Sequence, residues 1–146
     1  MKNPKYSHNG VQRISNAAGR SEDPAIATDG SHVYLAWNDN RSGIMQTWIR
    51  RSVDSGATWG PETQLTNSTV FAYSPMIHVH GPDIYIPWED RRNNNIFDIY
   101  LIHSADFGAT WGAEEQLSQG PGASGYPDMV RDGNNLHMGW TGSRCG

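Results

Sequence analysis

Three arginines recur at matching positions in this chain and supply its most obvious binding chemistry. Each lies four residues after a tryptophan, in loops that follow Trp37, Trp88 and Trp140, and the three are Arg41, Arg92 and Arg144. A guanidinium group can bind a carboxylate through two parallel hydrogen bonds. Two of the loops also hold an aspartate two residues before the arginine, Asp39 and Asp90. The pattern therefore suits either recognition of an acidic ligand or a salt bridge within the repeat.

Other side chains near these loops extend the candidate site. Tyr73 and Tyr126 come just before prolines that start predicted strands, and Arg91 with the three asparagines at 93–95 belongs to one loop only. Aromatic rings can stack on the apolar faces of sugars. Recurring residues usually serve the repeat, so Arg91 is a better candidate for specificity than the Asp-x-Arg pairs. The candidate ligand-binding set is Asp39, Arg41, Tyr73, Asp90, Arg91, Arg92, Tyr126 and Arg144.

Metal binding and cysteine chemistry are not indicated. His78 and His80 lie two apart on a predicted strand, which places both on one face, as a zinc site could use. However, no third ligand occurs at a matching spacing, and His80 aligns with the hairpin-turn position of the other repeats. We therefore predict no metal and no cofactor. Cys145 is the only cysteine, so an intrachain disulfide is excluded, and it has no nucleophile motif around it.

The elements that position these loops come from an internal repeat at an offset of 51–52 residues. The clearest copies are SVDSGATWG at 52–60 and SADFGATWG at 104–112. Prolines at 24, 75 and 127 superpose at the same offset, as do tryptophans at 37, 88 and 140. The repeat therefore covers most of the chain.

Each repeat is predicted to form four short β-strands. Runs such as VYLAW and FDIYLIHS are typical of strands, and Asp29-Gly30 and Asp132-Gly133 predict hairpins because glycine supplies the positive φ. An antiparallel four-stranded unit of this length, unable to bury both faces alone, is a propeller blade. We predict an all-β propeller segment over 1–146, with an outer strand at 11–15, blade 1 at 24–66, blade 2 at 75–118 and the start of blade 3 at 127–141.

The doubled segment fits Ser-x-Asp-x-Gly-x-Thr-Trp between strands three and four. Each aspartate can accept hydrogen bonds from backbone N–H groups of its own turn, and each glycine permits a left-handed backbone. The motif resembles the Asp-box (BNR) repeat of the sialidase-like β-propeller superfamily. The resemblance implies that the boxes are structural and lie opposite the ligand face. The matching residues are Ser52, Asp54, Gly56, Thr58 and Trp59, and Ser104, Asp106, Gly108, Thr110 and Trp111.

The resemblance also introduces an enzymatic alternative. Sialidases hold a substrate carboxylate with three arginines and use a Tyr–Glu pair and an aspartate in catalysis. Here the Arg-Ile-Pro segment of that family is missing, the only Ile-Pro is Ile86-Pro87 inside a strand, and no Tyr–Glu pair can be assigned. The sequence therefore favours a non-catalytic module that binds a glycan or a protein partner on the face opposite the boxes. A sialidase-like exo-glycosidase and an oligomerising propeller fragment without a ligand of its own are the alternatives.

The chain is too short for a closed propeller. It holds about 2.8 blades, whereas closed propellers have roughly four to eight. Uncovered strand edges pair readily with other strands. Two copies approach the six blades of the family that the chain resembles. We therefore expect a homodimer in which the strands at 127–141 of one copy join the strand at 11–15 of the other. A trimer and a segment of a longer protein are the alternatives.

Composition excludes other partner classes. The net charge of −4 gives no basic surface for nucleic acid or an anionic membrane. No apolar run approaches the roughly 20 residues of a membrane helix. The first residues do not form a signal peptide, and the family resemblance suggests a secreted or cell-surface protein if a leader has been removed. The 16 Gly, 8 Pro, 6 Trp and 6 Tyr fit a turn-rich all-β chain.

Overall fold

The computed structural model of the chain describes residues 11–133 and 135–143. All regular secondary structure in these residues is β-strand, so the all-β prediction is confirmed. No helix in the described part of the chain is long and apolar enough to cross a membrane. The strands are β1 (Ser21–Asp29), β2 (His32–Asp39), β3 (Gln46–Ser52), β4 (Thr63–Gln64), β5 (Ala72–Tyr73), β6 (His78–His80), β7 (Asp83–Asn93), β8 (Ile96–Ser104), β9 (Glu115–Gln116), β10 (Ser124–Asp132) and β11 (Asn135–Gly142).

These strands form three separate antiparallel sheets. Sheet A has the order β1-β2-β3-β4, and sheet B has β7 paired with β5 and β6 on one side and with β8 on the other, followed by β9. Sheet C is the pair β10-β11. The strands of each sheet thus occur in chain order, and no sheet in the described residues closes into a barrel.

Short turns join the first two strands of each sheet. Two-residue loops connect Asp29 to His32, His80 to Asp83 and Asp132 to Asn135. The glycine in each loop has positive φ, at +58°, +55° and +57° for Gly30, Gly81 and Gly133. The two predicted Asp-Gly hairpins are therefore confirmed, and the structure adds a Gly-Pro hairpin at the equivalent point of sheet B.

The core lies between sheets A and B. Side chains alternate between the two faces of a strand. We call the face with the repeated tryptophan the front of each sheet and the other face the back. The back of sheet A, with Tyr34, Ala36 and Ile49, packs against the front of sheet B, with Ile86 and Trp88, and all five are almost fully buried. Fully burying each large apolar side chain stabilises the fold by about 1.5–3 kcal/mol.

Sheet C packs on sheet B in the same sense. Strand β10 contacts β7 and β8. On the back of sheet B, Asp83 lies 3.9 Å from the guanidinium of Arg131, which belongs to the front of sheet C. Each sheet therefore turns its back to the front of the next sheet along the chain.

The two ends of this stack differ. The extended segment 11–17 covers part of the front of sheet A, where Arg50 Nη1 donates to the Ile14 carbonyl at 2.6 Å. Residues 11–15, predicted to be an outer strand, form no strand in the structure. No strand of the described residues packs on the back of sheet C, and Val130 there is 61% exposed.

The two repeated boxes form closely similar turns after β3 and β8. In the first, the Asp54 carboxylate accepts hydrogen bonds from the N–H and hydroxyl of Thr58, at 2.8 and 2.5 Å, and from the Ser52 hydroxyl at 2.7 Å. These bonds, led by that from the Thr58 hydroxyl, lower the pKa of Asp54 to about 2. Gly56 and Gly108 have φ of +86° and +79°, which confirms the left-handed backbone predicted for them.

Candidate functional site

Arg41 lies between two carboxylates of its own sheet. Its Nη2 donates to Asp39 Oδ2 at 2.8 Å, and its Nη1 donates to Glu62. The guanidinium carbon is 4.1 Å from the centroid of the Trp48 ring. Asp39 also accepts the indole N–H of Trp37 at 3.3 Å. The hydrogen-bonding capacity of Arg41 is therefore largely used inside sheet A.

Arg92 repeats this arrangement in sheet B. Its Nη2 donates to Asp90 Oδ2 at 2.6 Å, and its Nη1 donates to Glu114 at 2.5 Å. The guanidinium lies over the Tyr100 ring, 4.3 Å from the centroid, and Trp88 donates to Asp90 at 3.2 Å. Two recurring arginines thus have the same three kinds of partner in consecutive sheets.

Burial gives these two pairs a structural role. Asp39 and Asp90 are 0% exposed and offer no surface to a ligand. Burial by itself raises the pKa of Asp39, but its hydrogen bonds, mainly those from Arg41, outweigh burial and lower the pKa to about 2. The salt bridge within the repeat, one of the two roles that the sequence allowed, is the arrangement in the structure. The third recurring arginine, Arg144, lies outside the described residues.

Arg91, the arginine without a counterpart, lies in a different environment. Its guanidinium carbon is 4.2 Å from the centroid of the Phe97 ring. The Tyr73 ring meets Phe97 edge-on at 5.9 Å, and Phe71 lies 5.7 Å from Tyr73. Two residues of the predicted set, Tyr73 and Arg91, are therefore brought together by Phe97, where β5 and the β7–β8 loop meet.

A groove of ≈ 410 Å³ adjoins this aromatic cluster, between sheets B and C. Glu89 and Phe97 line it from sheet B, and residues 123–126 and 141–143 line it from the side of sheet C. Glu89 is only 7% exposed. Its Oε1 accepts the backbone N–H of Tyr126 at 2.6 Å, whereas its Oε2 has no hydrogen-bond partner among the described residues. The carboxylate thus has one engaged oxygen and one that remains for other contacts.

Tyr126 stands at the edge of this groove with an unusual backbone. Its φ is +52°, and its side chain is 77% exposed. The equivalent residues Asp23 and Ser74 have φ of +51° and +49°, so a left-handed residue before the proline belongs to the repeat. Aspartate tolerates this conformation better than a bulky aromatic residue does. The tyrosine is therefore the least favourable of the three residues for this backbone.

Sequence inspection did not select Glu89 and Phe97 as site residues. Glu89 corresponds to Asn38 in sheet A and Thr141 in sheet C, and Phe97 corresponds to Met45. A comparison of the repeats position by position would have singled out both. Their role depends on packing between sheets, which the order of residue types along one strand does not reveal.

The groove suits binding chemistry more than acid–base catalysis. Glu89 is the one carboxylate that lines it, and the nearby polar groups are the hydroxyls of Ser124, Thr141 and Ser143. Among the described residues no three of His, Cys, Asp and Glu cluster as metal ligands, and His78 and His80 both lie on β6. Comparisons with protein-family models and with curated proteins find no match to this chain. The function is therefore argued from the geometry and the repeat.

Proposed function

We propose that the chain is a non-catalytic binding module, a segment of a β-propeller that a second copy completes and that binds a glycan on the face with the groove. The observation that supports the propeller is the packing of each sheet's back on the next sheet's front. A packing relation repeated in one sense leaves a different free surface at each end. Such a stack closes into a ring when the rotation between neighbouring sheets is a whole fraction of 360°.

The free surfaces at the two ends support the homodimer. The front of sheet A has the half-buried Leu35 and the buried Trp37 in the position that Ile86 and Trp88 occupy where sheet B receives sheet A. Val130, on the back of sheet C, is 61% exposed, and Trp140, on the front of that sheet, is 41% exposed. The back of sheet C of one copy would pack on the front of sheet A of the other, and residues 11–15 would pair in the composite blade. Two copies then contribute about six blades.

Mass measurement in solution tests the ring. Light scattering coupled to size exclusion should give twice the chain mass of 16.2 kDa. Val130→Lys should shift the protein to monomer, because a lysine would enter the contact between copies. Val53→Lys is the matched control, since Val53 is 55% exposed in a box turn and takes no part in the contact. A folded monomer in the unsubstituted protein would overturn the dimer, and three times the chain mass would replace it with the trimer.

The glycan function is supported by the groove. Aromatic rings, hydroxyls and one carboxylate meet there, and these groups bind the apolar faces and hydroxyl groups of sugars. In a blade, the loops after strand two and the connections between blades share a face, and the box turns lie on the opposite face. Glu89 lies in the second strand of its repeat, and Tyr126 lies near the start of the first strand of the next repeat. Screening the protein on a glycan array tests this function, and binding to no glycan would refute it.

The pairing of the recurring arginines with carboxylates argues against a sialidase-like activity. Arg41 and Arg92 each have two carboxylate partners within their own sheets. Recognition of a substrate carboxylate by three arginines would need both of these groups free. A fluorogenic sialoside and a panel of aryl glycosides should therefore show no turnover at high protein concentration, and turnover would overturn the non-catalytic assignment.

A further inference from the structure

The groove between sheets B and C holds features that define a ligand more narrowly than a glycan in general. We propose that it binds a neutral sugar unit, with the Tyr126 ring stacked on the sugar and Glu89 Oε2 accepting its hydroxyl groups, and that it rejects sugars with a carboxylate at this point. This inference rests on the proposed glycan function and adds the class of ligand and the two residues that select it.

The buried carboxylate of Glu89 is the first observation that supports this proposal. The residue is only 7% exposed, and no salt bridge neutralises its carboxylate among the described residues. A buried charged group needs hydrogen bonds on each of its polar atoms to offset lost solvation. Oε1 has the Tyr126 N–H at 2.6 Å, and Oε2 has no donor in the described chain. Oε2 is not one of the fully buried atoms without a partner, and a hydroxyl group of a ligand in the groove would donate to it.

The charge of Glu89 determines which ligand can supply those donors. Sugar hydroxyl groups donate to a carboxylate in charge-assisted hydrogen bonds, which are about twice as strong as neutral ones. A ligand carboxylate would instead place two like charges near each other where solvent screening is weak. The arginines that could offset this repulsion in sheets A and B, Arg41 and Arg92, are already paired. Arg91 has its guanidinium carbon 4.2 Å from the centroid of the Phe97 ring and does not line the groove.

The exposed side chain of Tyr126 is the second observation that supports this proposal. At the equivalent positions of the other repeats, Asp23 and Ser74 adopt the same left-handed backbone without an aromatic side chain. The tyrosine is 77% exposed and its ring forms no ring–ring contact within the described residues, so its packing contributes little to the fold. The ring stands at the edge of the groove and supplies a flat apolar face of the size of a pyranose. We assign this face to the sugar.

The experiment compares sugar chains that share one backbone and differ in whether they have carboxylate charges. The probes are galacturonic acid oligomers and their methyl esters, together with neutral and acidic members of the glycan array. The unsubstituted protein should bind neutral probes at least tenfold more tightly than their acidic counterparts. Glu89→Gln should lower the affinity for neutral probes about tenfold, which corresponds to one charged hydrogen bond, and should bring the two affinities closer together. Glu115→Gln, an exposed control of equal chemistry, should change neither affinity.

A second pair of variants separates binding from folding. Tyr126→Ser places at 126 the residue type that the chain uses at 74, so the thermal midpoint should stay the same or rise while the affinity falls about tenfold. Tyr126→Phe keeps the ring and should bind within about twofold of the unsubstituted protein. Preference for the acidic probes, or full binding by Glu89→Gln or Tyr126→Ser, would overturn this inference and leave the glycan function standing. Binding to no array glycan would overturn both.

Discussion

Replacing Asp39 with asparagine tests whether the buried Asp–Arg pair stabilises its sheet. Asp39 is 0% exposed and accepts hydrogen bonds from Arg41, Ser21 and Trp37. Asparagine has nearly the same shape, but it removes the charge and turns an N–H₂ donor toward the donors of Arg41. The substitution therefore isolates the electrostatic contribution of the carboxylate.

The expected loss follows from the pKa. The pKa of Asp39 falls from 3.8 to about 2 in the folded protein. Each unit corresponds to 1.36 kcal/mol, so the carboxylate form contributes about 2 kcal/mol of stability. Arg41 keeps Glu62 and is 22% exposed in its side chain, which places the loss below the 3–5 kcal/mol seen when fully buried pairs are broken. The midpoint of thermal unfolding should fall by about 4–8 °C.

The dependence on pH distinguishes charge from packing. A carboxylate with a depressed folded pKa contributes its full stability above its unfolded pKa near 4, and the contribution disappears as the pH falls through about 2. The gap in unfolding free energy between Asp39→Asn and the unsubstituted protein should therefore be largest at pH 7 and shrink toward pH 2. A packing defect would leave the gap constant.

Urea unfolding followed by tryptophan fluorescence, at one protein concentration and at both pH values, measures this gap. Equal concentrations matter because association adds to apparent stability. Glu115→Gln is the control and should change the unfolding free energy by less than about 0.5 kcal/mol. The reasoning is refuted if Asp39→Asn behaves like this control, or if its loss is the same in acid as at neutral pH.

Three further outcomes follow from the same geometry. Gly108→Ala should destabilise the fold more than Gly56→Ala. Both glycines have positive φ, but a Cβ at 108 would lie 3.2 Å from Ile84 Cδ1, whereas nothing lies within 4 Å of a Cβ at 56. Chemical denaturation of the two variants measures which loses more stability. The Thr58 and Thr110 amide resonances should hold their positions down to about pH 3 and move as the pH falls through 2, where Asp54 and Asp106 take up protons. Acrylamide should quench one more tryptophan in the Val130→Lys monomer than in the dimer, because Trp140 is 41% exposed in the single chain.

The parts of the fold that the sequence predicted are those with local causes. Turn glycines, alternating strands and box hydrogen bonds depend on residues a few positions apart, so residue types alone indicate them. The second carboxylates of the arginine pairs, Glu62 and Glu114, lie 21 and 22 residues away on the outer segments. Their recurrence 52 residues apart was visible in the chain, but their contact with the arginines depends on how the sheet folds back.

The groove was harder to predict because it depends on packing between sheets. Tyr73, Arg91 and Tyr126 were selected from their positions next to strands, and the structure places them around one region. Glu89 and Phe97, which connect them, belong to strand interiors where polar and aromatic residues are normally assigned to the core. The left-handed backbone at Tyr126 arises from a bulge before a proline, and the residue type gave no sign of it.

In the proposed ring, the one-directional stacking of the sheets makes the number of copies depend on the angle between neighbouring sheets. A head-to-tail contact assembles into a finite particle only at certain angles, and at any other angle it adds copies without end as a helical filament. Small changes at the A–B or B–C junction, far from either free surface, would therefore alter the number of copies per particle. Gene duplication of such a chain would join two copies covalently and remove this dependence, since the order of the sheets along the longer chain would already fix the neighbours.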